Sequence, residues 1–148
     1  MSPMFSGAYE HTVDDKCRTV IPARLRQKLG DKFVITRGLH GCLWIFSQSA
    51  WPRIQETLTP KSLWDERGLM LERFFLGAAA ECVPDKQGRI AIPPMLMEHA
   101  GIRPGASIWL IGLNEKIEIW EKSRWNDFNA GLTDTIIAEL GREAEAPR

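Results

Sequence analysis

The chain contains one sequence unit twice, and this duplication limits the folds that it can adopt. The segment 14–22, DDKCRTVIP, returns 71 residues later as 85–93, DKQGRIAIP, with Asp, Arg, Ile and Pro at the same places. Six further positions repeat downstream with an offset of 74: Gly38, Leu43, Ile45, Phe46, Ser49 and Trp51 correspond to Gly112, Ile117, Ile119, Trp120, Ser123 and Trp125. A unit of about 45 residues is near the size below which a lone core is insufficient. We therefore expect a pseudo-symmetric protein whose two copies share one core.

Charge is distributed unevenly along the chain although it sums to zero, from 19 basic and 19 acidic residues. Residues 1–80 carry 11 Lys and Arg against 8 Asp and Glu, and residues 81–148 carry 8 against 11. Within 11–37 the numbers are 7 basic against 3 acidic. This asymmetry indicates either that the first copy faces a polyanion or that surface solvation is uneven, and charge alone leaves both interpretations open.

Cysteine usage and hydropathy are typical of an intracellular protein with neither metal nor cofactor. The three cysteines are Cys17, Cys42 and Cys82. Their odd number and the absence of CxxC spacing favour reduced thiols over a disulfide framework. Zinc-type ligand pairs are also missing among the residues that could supply them, namely His11, His40, Cys42 and His99. No window approaches a membrane span and no signal-peptide pattern opens the chain, so we expect a soluble, cytoplasmic protein.

Both copies predict the same order of elements. In the first copy, strands are predicted over 8–13, 18–21, 33–36 and 43–46, and a helix over 23–29 begins after Pro22 and ends at Gly30. In the second copy, strands are predicted over 78–83, 89–92, 108–111 and 117–120, with a helix after Pro93. The first two strands of each copy are interpreted as a tight strand–turn–strand.

Helices are predicted to close each copy and to connect the two. Ser49 and Ser123 are the predicted N-caps, since a Ser side chain can accept a first-turn N–H. A connecting helix is predicted to open at Thr59-Pro60 and to carry apolar core or subunit contacts: Leu63, Met70, Leu71, Phe74 and Phe75. After Ser123, apolar residues at steps of three and four predict an amphipathic helix: Trp125, Phe128, Leu132, Ile136 and Leu140.

The motif that carries functional information is Asp-x-x-x-Arg followed by Ile-Pro, present as Asp14/Arg18 and Asp85/Arg89. A short Asp can accept hydrogen bonds from nearby backbone N–H groups and fix a turn, and Gly88 supplies the positive φ that such a turn often needs. The Arg is then either held in an ion pair that only locks the turn, or projects as a forked donor. For the second copy we favour the locking role, because the basic excess is absent there.

The first copy adds a cluster of basic residues within thirteen positions: Lys16, Arg18, Arg24, Arg26 and Lys28. The planar fork of Arg suits both phosphate and guanine recognition, and Lys suits phosphate. We therefore predict Lys16, Arg18, Arg24 and Arg26 as DNA-binding residues. For the three basic residues after Pro22, a solvated helix face remains the alternative.

These residues together resemble the MraZ family of bacterial transcriptional regulators. The resemblance rests on the paired motif, on the Ile-Pro after each copy, on Met4-Phe5 near the start and on the total length, and it covers residues 4–140. It implies an α+β fold with a mainly β core, in which two AbrB/SpoVT-type swapped-hairpin units interlock into one small β-barrel with flanking helices. The implied division is 5–51 for the first repeat, 52–76 for connecting helices, 77–125 for the second repeat, 126–140 for a C-terminal helix and 141–148 for a flexible tail.

The resemblance also implies a function. Family members form ring homo-oligomers, here expected as an octamer or larger, and bind double-stranded DNA at promoter direct repeats. Their target is the division and cell-wall gene cluster, which is their own operon, so a cytoplasmic, nucleoid-associated location is expected. The family's DNA-facing residues map onto Lys16 and Arg18. The chain departs from the family turn at Cys17, which occupies the place of glycine, so the turn either changes shape or tolerates the strain of a Cβ at positive φ.

Two other classes of function stay under consideration. A hydrolase could use Asp14 and Asp85 as a carboxylate pair, but an Arg four residues after each would lower the carboxyl pKa and favour the permanently charged form. No nucleophile elbow, phosphate loop or metal cluster is recognisable, so an enzyme is not expected. A protein-binding scaffold, or an antidote-like swapped-hairpin module, would use the apolar helices for a foreign partner.

Overall fold

The computed structural model describes residues 4–147, which form eight strands and six helices. The strands are β1 Phe5–Thr12, β2 Arg18–Val20, β3 Phe33–Arg37, β4 Leu43–Ser47, β5 Ala80–Cys82, β6 Arg89–Ala91, β7 Ser107–Asn114 and β8 Lys116–Glu121. The helices are α1 Ala23–Leu29, α2 Trp51–Thr57, α3 Glu66–Phe75, α4 Pro94–Ala100, α5 Lys122–Ala130 and α6 Asp134–Glu145. The predicted order of strands and short helices is confirmed in both copies.

Six strands form one antiparallel sheet whose order, β1-β7-β8-β4-β3-β5, reflects the duplication. Strands β1 to β4 of the first copy correspond to β5 to β8 of the second, so the order reads the same from either edge. The first strand of each copy pairs with the third strand of the other copy: β1 with β7, and β5 with β3. The two copies therefore exchange their first strands, and neither copy has a complete sheet of its own.

The expected closed barrel is wrong, because the sheet is open. Strands β1 and β5 lie at its opposite edges, and in the described part of the chain they do not pair with each other. Strands β2 and β6 are not part of this sheet and pair with one another in a separate two-stranded ribbon. The predicted strand–turn–strand is present, since a turn joins β1 to β2 with the Asp14 N–H donating to the Arg18 carbonyl at 2.8 Å, but the ladder partner of each of these strands lies in the other copy.

One large apolar cluster contains residues of both copies, as the repeat length predicted. It is formed by buried side chains from equivalent places in both: Phe33, Ile35, Leu43 and Ile45 from the first copy, and Ile108, Leu110, Ile117 and Ile119 from the second. Leu25 of α1 and Leu96 of α4 are buried in the same cluster. Burial of a Leu or Ile side chain contributes about 1.5–3 kcal/mol, so this shared core holds the exchanged strands together.

The helix boundaries differ from several predictions. Neither Ser49 nor Ser123 is an N-cap: α2 has Ala50 at that position, and the Glu121 side chain caps α5 by accepting from the backbone N–H of Ser123 and Arg124. A carboxylate accepts two first-turn N–H groups at once, which a hydroxyl does not match.

The connecting and C-terminal segments are each divided into two helices. The connecting helix begins at Glu66, after the capping side chain of Asp65, and not at Thr59-Pro60. The predicted helix over 126–140 is interrupted between α5 and α6, where Thr133 accepts from the backbone N–H of Ile136 and starts a new helix. Helix α6 continues to Glu145, into the stretch expected as a flexible tail. No helix in residues 4–147 is long and apolar enough to cross a membrane.

Candidate nucleic-acid interface

The two Asp-x-x-x-Arg turns lie at opposite ends of the β2–β6 ribbon. In its register Arg18 is opposite Ala91, Thr19 opposite Ile90, and Val20 opposite Arg89. Thr19 and Ile90 are buried, and neighbouring side chains of a strand point to opposite faces, so both arginines lie on the outer face of the ribbon. The ribbon thereby presents one Arg from each copy on the same surface.

The Asp14 side chain organises the first turn. Its Oδ1 accepts hydrogen bonds from the backbone N–H of Lys16 at 2.9 Å and of Arg18 at 2.8 Å. Its Oδ2 accepts from Arg18 Nε at 2.9 Å. Within residues 4–147 the two Nη groups of Arg18 have no hydrogen-bond partner, so the Arg is both held by Asp14 and free to donate with its fork. Arg18 therefore forms the ion pair that locks the turn and at the same time projects as a forked donor.

The second turn has the same geometry. Asp85 Oδ1 accepts from the backbone N–H of Gln87 and of Arg89, both at 2.9 Å, and Asp85 Oδ2 accepts from Arg89 Nε at 2.8 Å. The two Arg side chains are also alike in exposure, 30% for Arg18 and 29% for Arg89. Geometry therefore does not distinguish the two copies, and the difference between them lies in the surrounding charge.

Both turn carboxyls have lowered pKa values. The main cause is the hydrogen bond from the backbone N–H of Arg18 for Asp14, and from that of Arg89 for Asp85. A general acid needs a raised pKa, and each carboxylate is already occupied by its own turn. The geometry thus favours a turn-fixing role over a catalytic pair.

Cys17 keeps the turn shape that glycine has in the other copy. Its φ is +61°, against +77° for Gly88, so the first turn tolerates the Cβ. Strain of this kind costs on the order of 1 kcal/mol. The Cys17 side chain packs against the apolar cluster, which offsets part of this cost. The other thiols are buried, and burial raises the pKa of both, to about 12 for Cys82.

The basic residues of α1 have different roles. Arg24 is exposed, as is Lys16 in the turn. Lys28 Nζ donates to the Met4 carbonyl at 2.8 Å, and Arg26 Nη1 donates to the Ile21 carbonyl at 2.9 Å. Lys28 is exposed as well, so only Arg26 is partly buried among these four cations. Arg26 and Lys28 each also make a contact within the chain, whereas the sequence had left DNA contact and a solvated helix face open for the residues of α1.

Arg26 also contacts the second turn, a role that sequence reasoning missed. Its guanidinium lies against Gly88, where an added Cβ would overlap it. At the equivalent places the chain has Met97 and Cys17, and both belong to the apolar cluster. A comparison of the two copies contained this signal. The Arg26 and Gly88 positions hold an Arg and a Gly, whereas the equivalent Met97 and Cys17 positions hold two apolar side chains.

The histidines and cysteines do not suggest a metal centre. Among residues 4–147 no group of three or more His, Cys, Asp and Glu side chains is arranged to hold a metal ion. His99 Nε2 lies 3.1 Å from the Gly38 carbonyl, and Cys42 Sγ lies 3.2 Å from that of Leu39. These groups therefore take part in local packing.

The fold and the ribbon define a class: duplicated, strand-exchanged α+β proteins in which two Asp-x-x-x-Arg turns share one outer surface. The chain belongs to the MraZ family, since residues 4–74 and 75–140 each match the family described as "MraZ protein, putative antitoxin-like". The resemblance inferred from the motifs is thereby confirmed.

Curated relatives cover nearly the whole chain and share one name. Proteins named Transcriptional regulator MraZ from Caldanaerobacter subterraneus subsp. tengcongensis and from a Thermoanaerobacter species are 42% and 41% identical to it over 142 residues. In both cases the match covers 96% of this chain and 97% of the relative. The namesake from Acetivibrio thermocellus is 40% identical over 92% of this chain and 95% of its own. The family is thus one of transcriptional regulators, which is not a catalytic role.

Proposed function

We propose that the chain is a sequence-specific DNA-binding transcriptional regulator that reads DNA with the first turn of the ribbon. The observation that carries this proposal is Arg18, whose Nε is held by Asp14 while its two Nη groups are free within the described residues. A fork fixed in this way suits bidentate recognition of guanine O6 and N7, because less rotamer freedom is lost on binding. Lys16 and Arg24, both exposed, supply phosphate contacts. Arg26 joins α1 to the second turn through its contacts with the Ile21 carbonyl and with Gly88.

The relatives and the duplicated fold support a wider proposal. Each repeat acts as an AbrB/SpoVT-type swapped-hairpin unit, with the division 5–51, 52–76, 77–125, 126–140 and 141–148 given above. Several copies form a ring, an octamer or larger, and engage repeated promoter sites upstream of the division and cell-wall gene cluster that includes the chain's own gene. The protein accordingly works in the cytoplasm at the nucleoid. Avidity reconciles a chain of zero net charge with DNA binding, since several weak basic patches act together.

The test is a fluorescence-anisotropy titration with DNA from immediately upstream of the chain's own gene, against scrambled DNA of equal length, at two salt concentrations. We expect tighter binding to the upstream DNA and steep weakening with salt, because phosphate contacts release counterions. Replacement of Arg18 by Ala should lower specific affinity by about 1–3 kcal/mol while oligomer size stays unchanged.

Arg89→Ala is the matched control, since it removes the same Nε–carboxylate contact in the second copy. Its effect on DNA affinity should be clearly smaller than that of Arg18→Ala. Equal losses would show that both turns read DNA, against the charge argument. Unchanged affinity in a correctly assembled Arg18→Ala variant would overturn the proposal and favour the protein-binding scaffold instead.

A further inference from the structure

Helix α3 and the loop before it expose a continuous apolar surface. Trp64 is 89% exposed and Leu63 85%, although both are large apolar side chains. Together with Met70 they line one groove beside α3. Met70 also lines a second, almost wholly apolar groove, with Leu39, Arg67, Leu71, Phe74 and Phe75. Exposed apolar patches of this kind mark interaction sites.

Helix α6 is an amphipathic helix without a partner in its own chain. Its apolar side chains are half exposed, 40% for Ile136, 50% for Ile137 and 51% for Leu140, and no residue of the helix is buried. At 3.6 residues per turn these three form one stripe, and Arg142 lies on the opposite face. The helix therefore presents an apolar stripe that nothing in the described chain covers.

The charges of the two elements are complementary. Arg67 lies among the apolar residues of the second groove, and Arg73 borders the first. Neither forms an ion pair within residues 4–147, and the same is true of the acidic residues of α6: Asp134, Glu139, Glu143 and Glu145. By helical spacing, Glu139 and Glu143 flank one side of the apolar stripe and Asp134 and Glu145 flank the other.

We propose that α6 of one copy docks into the α3 groove of a second copy of this chain. Its apolar stripe would cover Met70, Leu71 and Phe74, and its flanking carboxylates would pair with Arg67 and Arg73. The lengths agree, since ten residues of α3 and twelve of α6 span about 15 Å and about 18 Å. The contact joins two different surfaces, so it repeats head to tail and closes into a ring where the rotation permits. The inference rests on the proposed ring and names the surfaces that build it.

The first experiment is a disulfide cross-link between differently tagged chains in a Cys17→Gly background, which removes the most accessible native thiol. One chain carries Met70→Cys and the other Ile137→Cys, both at exposed positions. We expect the hybrid disulfide on a non-reducing gel in at least about tenfold greater yield than with Arg142→Cys, the control on the opposite face of α6. Equal yields for the two α6 positions would overturn the proposal. So would a disulfide that forms only inside a single chain carrying both changes, because α6 would then cover its own groove.

The second experiment keeps the proposal falsifiable if oxidation is inefficient. Light scattering should show that Leu140→Asp reduces the oligomer to single chains while Arg142→Asp leaves it assembled. Arg67→Glu should weaken assembly, and Glu139→Arg in the same chain should restore it. Full assembly of Leu140→Asp, with an unchanged circular dichroism spectrum, would contradict the proposal.

The two proposals fail separately. Specific DNA binding that depends on Arg18, without the cross-link, would refute the interface and leave the function in place. A cross-link without specific DNA binding would refute the proposed function and leave the interface between copies in place.

Discussion

Asp14 is the residue that converts a flexible Arg into a fixed one. Its two carboxylate oxygens accept from the backbone on one side and from Arg18 Nε on the other. The hydrogen bond from the backbone N–H of Arg18 is the main cause of the lowered pKa of Asp14, which shows that the turn favours the ionised carboxylate. Its position four residues before the Arg places the acceptor opposite Nε and leaves the outer fork of Arg18 available.

We expect Asp14→Asn to lower specific DNA affinity by at most roughly 1.5–3 kcal/mol, the scale of one hydrogen bond to a charged group. Asn can still accept backbone N–H groups with Oδ1, so the turn should persist, but its NH2 group cannot accept from Arg18 Nε. Anisotropy titration measures the loss, and the amide NMR spectrum of the turn checks that it is still formed.

Asp85→Asn serves as the control for this substitution, since it alters the same geometry in the second copy. A loss of affinity from Asp85→Asn as large as that from Asp14→Asn would refute the assignment of the first turn as reader. An unchanged affinity in Asp14→Asn would show that Arg18 needs no positioning.

At the scale of elements, strand exchange requires very close backbone packing between β1 and β7. Gly112 of β7 is paired with Gly7 of β1. A Cβ on Gly112 would lie 2.5 Å from the Ser6 nitrogen and 2.9 Å from the Phe5 carbonyl carbon. These are backbone atoms, which cannot move aside as a flexible side chain would. Glycine at this position therefore permits the first strand of one copy to join the sheet of the other.

We expect Gly112→Ala to destabilise the protein by about 1–3 kcal/mol, the usual cost of overpacking. The loss should be concentrated at β1, whose backbone amides should exchange faster with deuterium than those of β3 and β4. Gly141→Ala is the control, since nothing lies within 4 Å of a Cβ there, and it should stabilise α6 slightly. Uniformly faster exchange throughout the sheet would contradict the assignment of Gly112 to the β1 contact.

At the scale of the whole molecule, DNA binding and assembly are separate properties joined by avidity. The reading surface lies on the ribbon, and the proposed docking surfaces lie on α3 and α6. Each single site is expected to bind weakly, because one turn and one short helix supply few cations. Strong binding then requires several copies held in one assembly.

We therefore expect DNA with several repeats to bind the assembled protein on the order of a hundredfold more tightly than DNA with one repeat. The Leu140→Asp variant should lose this gain and keep the affinity for one repeat. Anisotropy titrations with one-repeat and multi-repeat DNA measure both quantities. Equal affinities for the two DNAs in the wild-type protein would rule out avidity.

Much of the fold could be predicted because it depends on interactions between residues close in sequence, and the same pattern occurs in both copies. The short helices begin after Pro22 and Pro93, because the start of a helix tolerates a residue that has no backbone N–H. Helix α1 ends before Gly30. The turns depend on Asp14 and Asp85, whose acceptors reach backbone N–H groups within four residues. A second copy with the same pattern made each of these predictions more secure.

The sequence alone determined that two copies of one unit share a core, that each contains an Asp-fixed turn bearing an Arg, and that the chain is of the MraZ family. Only the tertiary structure decided which strand pairs with which, because apolar alternation determines the face of a strand and not its partner. The tertiary structure contains an open six-stranded sheet and a separate two-stranded ribbon in place of the expected barrel. It also assigned Arg26 to the second turn, because that contact joins residues 62 positions apart and depends on packing between the copies.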